Sequence, residues 1–257
     1  MKISEEIKAK ALAHAKEEIP RESVGLVHIV KGRERYFRCK NQAEEPELHF
    51  SLDPADYLKC EQQGEIVAVI HSHPKTNPNP SEADKVACER SNLPWFIVNP
   101  NTEKWAYYEP SGFKLPYVGR QWAHGIVDCY TLCKDWYEKE LGIKFNEYNR
   151  QDDWWHKGEN LYVDNFKKEG MKEIKLEEIQ YGDMILMNID STVPNHAAIY
   201  LDQNVILHHV HNRLSSRDVY KWGGYYHKMT ATVLRHESRK GLRGFKRKIR
   251  RARNLRA

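Results

Sequence analysis

Apolar and polar positions divide the chain into short segments whose period changes several times. Residues 1 to about Glu18 carry apolar positions at helical spacing among alternating acidic and basic ones, which predicts an amphipathic helix broken by Pro20. Gly25 to Val30 is an apolar run, Lys31-Gly32 a turn and Arg33 to Arg38 a returning strand, together a hairpin. Asp53-Pro54 opens a short helix, 54–63, that Gly64 closes. Ile66-Val-Ala-Val-Ile70 reads as a buried strand, 84–92 as a helix, and Trp95 to Val98 and Trp105 to Tyr108 as two more strands. Beyond a Pro/Gly-rich stretch, Cys129 to Leu141 has apolar residues at helical spacing and stops at Gly142. Met184 to Ile189, His196 to Leu201 and Val205 to Val210 are apolar runs, the last two joined by Asp202-Gln203-Asn204 as a second hairpin. The expected fold class is α/β (α+β) in two domains, 1–110 and 117–238, joined by a linker over 111–116 and followed by a tail, 239–257.

The register of that second hairpin depends on its loop. Three loop residues pair Ala198 with His208 and put His196 and His208 on one face as diagonal neighbours. Two loop residues shift the register by one and bring His209 to that face instead.

Composition adds bounds. With 257 residues the chain can build two modest cores. No apolar run approaches the roughly 18 residues of a membrane span, and the first residues do not form a signal sequence. Five cysteines, at 39, 60, 88, 129 and 133, include no Cys-x-x-Cys and leave one unpaired in any disulfide scheme, so a working thiol among inert ones is expected. The net charge of +5 is local: ten Lys/Arg and no Asp/Glu fall between Arg239 and Ala257, and the remainder has 31 basic and 36 acidic residues, a net of −5. Any acidic partner therefore concerns the tail. Nucleic acid is one such partner, without sequence specificity since no base-reading module accompanies it.

Candidate chemistry lies in two places. The strand ending at His71 continues into His71-Ser72-His73-Pro74, and period two points both histidines the same way. Ser81-Glu-Ala-Asp84 follows. Two histidines and a carboxylate are the three-ligand set of a catalytic zinc with one position left open, although Ser81 to Asp84 also reads as a capping box of the helix behind it. In the second domain, Cys129 in the first turn of a helix capped by Asp128 faces the positive end of the helix dipole, which favours thiolate. The same helix equally accommodates a buried core cysteine. Trp154-Trp155 reads either as a wall-binding aromatic patch or as a pair split between core and surface.

His-x-His-Pro, six residues, Ser, two residues, Asp resembles the JAMM/MPN metallopeptidase signature. The resemblance implies Zn²⁺ on His71, His73 and Asp84, an oxyanion role for Ser81, and a general base at Glu22 in Pro20-x-Glu22-x-x-Gly25. Asp128-Cys129-Tyr130-Thr131, Tyr181-Gly182-Asp183-Met184, His196-Ala-Ala-Ile-Tyr200 and His208 resemble the NlpC-type, papain-like cell-wall peptidases. That implies Cys129 as nucleophile, His196 as base, His208 as its orienting residue and Tyr117 as the oxyanion tyrosine; Tyr130-Thr131 and Ala198 depart from the family's Ser-Gly and Gly.

The two domains in succession resemble the tail tip assembly proteins of lambda-like siphophages. The resemblance implies zinc-dependent (iso)peptide hydrolysis by the first domain and cleavage of peptidoglycan stem peptides by the second. It also implies other tail tip proteins as partners, and a location at the virion tail tip or in the host cytoplasm during assembly. A catalytically silent assembly module and a cellular wall-remodelling or ubiquitin-type isopeptidase are the alternatives. Bound zinc and stem-peptide cleavage separate them.

Overall fold

In the computed structural model, which describes residues 1–239, the chain divides into two units after Leu115. The basic tail expected over 239–257 lies, apart from Arg239, outside the described residues.

The first unit begins with α1 (Glu5–Glu18), capped by the Ser4 side chain on the Ile7 amide. β1 (Val24–Val30) and β2 (Arg33–Cys39) form the hairpin, α2 (Pro54–Gln63) follows, and β3 (Glu65–Ser72), α3 (Glu82–Ser91), β4 (Trp95–Val98) and β5 (Trp105–Tyr108) complete the unit. The sheet order is β2-β1-β3-β4-β5. β3 and β4 are parallel neighbours, which requires a crossover, and α3 supplies it. β1 and β3 are apolar on both faces because both are covered. Val27, Ala68 and Ile70 pack with Ile7 and Ala11 of α1, while Val24, Leu26 and Val69 pack with Cys60 of α2 and Cys88 of α3. Residues 111–113, expected in a linker, belong to this unit: the amides of Ser111, Gly112 and Phe113 all donate to the Glu89 carboxylate on α3.

In the second unit α4 (Cys129–Leu141) and a short α5 (Leu161–Asn165) precede β6 (Met171–Ile174), β7 (Met184–Met187), β8 (His196–Tyr200), β9 (Val205–His208), β10 (Ser216–Val219), α6 (Tyr225–Met229) and β11 (Thr230–His236). The sheet order is β10-β9-β8-β7-β11-β6, with antiparallel pairing throughout. Leu132, Cys133, Trp136 and Tyr137 of α4 pack on Leu186, Ala197, Ile199, Leu207 and Leu234 on one face of it. Ile185, Met187, Ala198, Ile206 and Tyr220 close the other face. Gly182 turns the chain into β7 at φ +82°, and a Cβ there would stand 2.8 Å from the Trp136 ring.

The hairpin register is resolved. Leu201 N–H donates to Val205 O at 2.7 Å and Ala198 pairs with His208, so the loop has three residues, all at positive φ. His208 is the residue on the face of His196. The strands were expected to run further, to Ile189 and Val210, but end at Met187 and His208, where the chain turns into polar loops. β6, β10 and β11 had no counterpart in the sequence reading.

Candidate functional sites

β1 starts where its antiparallel neighbour β3 ends: Val24 pairs with His71, and Ser72 N–H donates to Ser23 O at 3.0 Å. The residue before Ser23, Glu22, is thereby brought to the histidines. Its backbone is held from the other side by Pro46 O and by the Asn41 amide, which donates to Glu22 O at 2.9 Å. On the parallel side His73 N–H donates to Val98 O, and the Asn99 amide donates to His73 O at 2.9 Å and Thr76 O at 2.6 Å. Asn99 thus pins the loop that leaves the strand. Phe50 and Trp95 wall His71, at ring separations of 4.7 and 5.3 Å.

At this point four side chains from three segments converge. His71 Nε2 and His73 Nε2 are 3.1 Å apart. Asp84 Oδ1 is 3.3 Å from His71 Nε2, Asp84 Oδ2 is 3.4 Å from His73 Nε2, and Glu22 Oε1 is 3.9 Å from His73 Nε2. Ligand atoms on a tetrahedral zinc at ~2.0–2.1 Å stand roughly 3.3 Å from one another, so the two imidazoles and Asp84 have the spacing of one coordination shell. The donor set fits in a second way. His73 Nδ1 lies 3.0 Å from the Asn77 carbonyl, which can only accept, so Nδ1 carries a proton and Nε2 is the nitrogen that faces the site. His71 Nδ1 is buried without a hydrogen-bond partner, so His71 too is a ring whose useful atom is Nε2. Glu22, His71 and His73 form the one cluster of metal-ligating type among the described residues, with Asp84 touching both of its histidines.

Burial disfavours charge throughout this pocket. It pushes the Glu22 carboxyl up to about 8 and lowers His71. Burial also opposes ionisation of Asp84, but the two adjacent imidazoles outweigh it and hold Asp84 well below the carboxylate range. Ser81 caps α3: its Oγ accepts from Asp84 N–H at 3.1 Å and its own N–H donates to Asp84 Oδ2 at 2.7 Å. The capping-box reading of Ser81-Glu-Ala-Asp84 is the one observed, and it holds the Asp84 carboxylate within 3.4 Å of both histidines.

In the second unit Asp128 begins α4. Its carboxylate accepts from Thr131 N–H, Gly125 N–H and the Arg150 guanidinium, the last at 2.9 and 3.1 Å. Cys129, 6% exposed, follows, one turn before Cys133, which lies in one packed cluster with Ala197 of β8. The residue before Ala197 is His196, whose Nε2 lies 3.2 Å from His208 Nδ1. With Nε2 taken by His208, Nδ1 is the remaining nitrogen of the His196 ring. His208 in turn directs Nε2 toward Asp218, at 3.8 Å, and Tyr226 donates to that same carboxylate oxygen at 3.0 Å. His209 points elsewhere, to Arg213 O.

Two expectations for this site are corrected. The Cys129 thiol is pushed up to about 11 by burial, with Asp128 adding repulsion, so the helix start does not yield a resting thiolate. His196 and His208 are lowered by burial to about 3 and about 4, giving a neutral pair. Tyr117 is not brought to Cys129: its hydroxyl donates to Glu140 at 3.0 Å, eleven residues along α4 from Cys129, which is roughly 16 Å of helix rise. The tyrosine hydroxyl beside Cys129 Sγ is that of Tyr162, at 3.3 Å. Trp154 is buried and Trp155 half-buried, the split the bland reading expects. Asn41, Asn99, Arg150, Tyr162 and Asp218 carried no motif in the sequence.

Residues 115–235 match the NlpC/P60 family and residues 4–109 the prokaryotic homologs of the JAB domain. The chain is 37% identical over 234 residues to tail tip assembly protein K of Escherichia phage N15, spanning 90% of this chain and 94% of that protein. It is 41% identical over 189 residues to tail tip assembly protein K of Escherichia phage lambda, spanning 73% and 90%. Among solved structures, a JAB1/MPN domain protein of Archaeoglobus fulgidus aligns with a TM-score of 0.31 at 22% identity, over 45% of this chain and 94% of that one.

Proposed function

The chain belongs to the tail tip assembly protein K family, and on that premise we propose that it is a phage tail tip assembly protein with two hydrolytic centres. It acts with other tail tip proteins, in the host cytoplasm during assembly or at the virion tail tip. Its cysteine centre cleaves peptidoglycan stem peptides, and its metal centre hydrolyses a peptide or isopeptide bond. The observation that carries the proposal is the pair His196 and His208, 3.2 Å apart on β8 and β9 of the sheet on which α4, the helix that begins at Cys129, is packed. It supplies nucleophile, base and orienting group in one place.

In the cysteine centre the resting state is neutral on both sides. Cys129 gives its proton to His196 as the sulfur attacks the scissile carbonyl, and His208 holds the imidazole in the orientation that keeps one nitrogen toward the thiol. His196 then protonates the leaving amine, and water releases the acyl group from Cys129.

In the metal centre His71, His73 and Asp84 would hold Zn²⁺, with Ser81 keeping Asp84 in position, and the bound ion would supply Lewis acidity there. Glu22, in its ionised form, would take the proton of the attacking water and pass it to the leaving amine.

Two measurements test the halves separately. Metal analysis of the purified chain should give about one zinc per chain, lost in a His71→Ala, His73→Ala variant; a metal-free wild type loaded with excess zinc overturns the metal half. Mass spectrometry of muropeptides after incubation should give cut stem peptides with wild type and none with Cys129→Ala. A silent assembly module is favoured by one observation, the burial of the Cys129 thiol. It predicts intact muropeptides in both samples.

A further inference from the structure

The nucleophile has a phenolic hydroxyl as its neighbour that no motif announces. Tyr162 Oη lies 3.3 Å from Cys129 Sγ. α5 carries it, and its ring is fixed by edge contacts to Tyr130 at 6.3 Å and Trp154 at 6.0 Å. Tyr117, whose position relative to the cysteine suggested an oxyanion role, has its hydroxyl committed to Glu140. We propose that Tyr162 is a catalytic residue of the cysteine centre and donates the hydrogen bond that stabilises the oxyanion formed on attack by Cys129. The inference rests on the proposed acyl transfer at Cys129.

The geometry supports this from both partners. An oxyanion donor must reach ~2.7–3.1 Å from an oxygen that is itself bonded to the carbon joined to sulfur. A hydroxyl within van der Waals reach of that sulfur, and on a ring packed by aromatic neighbours, occupies that zone without rearrangement. The Cys129 amide is the natural second donor, since first-turn N–H groups of a helix have no intrahelical acceptor. In the step itself the thiol proton passes to His196, the sulfur lone pair forms the S–C bond, and the carbonyl π electrons move onto oxygen. That oxygen accepts from Tyr162 Oη–H and Cys129 N–H. On collapse the C–N bond breaks, the amine takes the proton from His196, and Tyr162 keeps its own proton throughout.

The test uses the full chain and purified muropeptides, with Tyr162→Phe and Tyr117→Phe compared with wild type. Tyr162→Phe should lower kcat about 100-fold with KM within about twofold, the signature of a lost transition-state donor. Tyr117→Phe should stay within about threefold. Equal losses in both variants, or wild-type kcat in Tyr162→Phe, overturns the proposal. A second readout needs no substrate turnover: iodoacetamide modification of Cys129 at neutral pH, followed by peptide mass spectrometry. Tyr162→Phe should slow it several-fold, because the hydroxyl also donates to the forming thiolate. Unchanged or faster modification means that the hydroxyl merely shields the sulfur, and this overturns the proposal even if wild type cleaves no muropeptide, the outcome that would sink the peptidase reading instead.

Discussion

At Cys129 two effects of opposite sign meet. The start of α4 favours thiolate by ~0.3–1 kcal/mol, at most about 2. Full burial disfavours it by up to several pKa units at ~1.36 kcal/mol each, and Asp128 next door adds repulsion. Burial wins. The dipole was legible in the sequence; the burial was not, because it comes from β8 and α5, which the chain reaches long after residue 129. The same burial sets a pH dependence of stability. His196 and His208 are lowered to about 3 and 4, so between there and the ordinary histidine range the unfolded chain binds more protons than the folded one. Stability therefore falls as pH drops below about 6.5. Cys129 is raised to about 11, so stability also falls above the ordinary thiol range, toward pH 11. Calorimetry of the chain should show the melting temperature decline from pH 7 to pH 4.5, and decline less in His196→Gln. A variant that follows wild type over that range would contradict the neutral buried pair.

Ser81 gives a second prediction at this scale. Ser81→Ala removes the Oγ half of the capping box, which accepts from Asp84 N–H and is worth ~1 kcal/mol of helix stability, and so loosens the turn in which the backbone amide at that position holds the Asp84 carboxylate. Zinc affinity measured by competition with a chelating dye should fall 10–100-fold, the range for losing a group that orients a metal ligand. Unchanged affinity would leave Ser81 with capping alone.

Among the elements, those with a strong local signal were recovered and those defined by distant pairing were not. α2, α4, β4 and β5 follow from a cap, a period or an apolar run. β6 (Met-Lys-Glu-Ile) and β10 (Ser-Arg-Asp-Val) have no such pattern. Each is a four-residue edge strand whose pairing with β11 or β9 supplies what its own sequence lacks. The His196/His208 alternative was open for the same reason. Loop length decides the register, and three successive residues at positive φ are a tertiary outcome that Asp-Gln-Asn permits without dictating. The N-terminus of α4 supports a prediction of its own. Asp128 joins the helix cap to a buried guanidinium, both side chains being 5% exposed or less. Asp128→Ala leaves Arg150 buried without its counter-charge and should cost ~3–5 kcal/mol, more than a cap alone. Urea unfolding of the second unit, followed by tryptophan fluorescence, checks this; a loss near 1 kcal/mol would mean that Arg150 finds another partner.

Over the whole molecule, the two centres were legible because each is built from few segments with dense local patterns: residues 71–84 with Glu22 in the first unit, and Cys129 with one hairpin in the second. What surrounds them was not. Asn99 bonds the carbonyls of His73 and Thr76, Asn41 clamps Glu22, and Arg150 neutralises Asp128, yet all three are ordinary polar residues in loops whose paths the sequence does not specify. The relationship to tail tip assembly protein K runs through both units, each of which matches a family of its own. The proposed function turns on whether the cysteine centre cuts wall peptide. The most direct measurement is chromatography of the muropeptides released from whole sacculi by the purified protein, with Cys129→Ala and Glu22→Ala alongside. The account predicts cut stem peptides from wild type and from Glu22→Ala and none from Cys129→Ala. Intact stem peptides with wild type, or cleavage that survives Cys129→Ala, would contradict it.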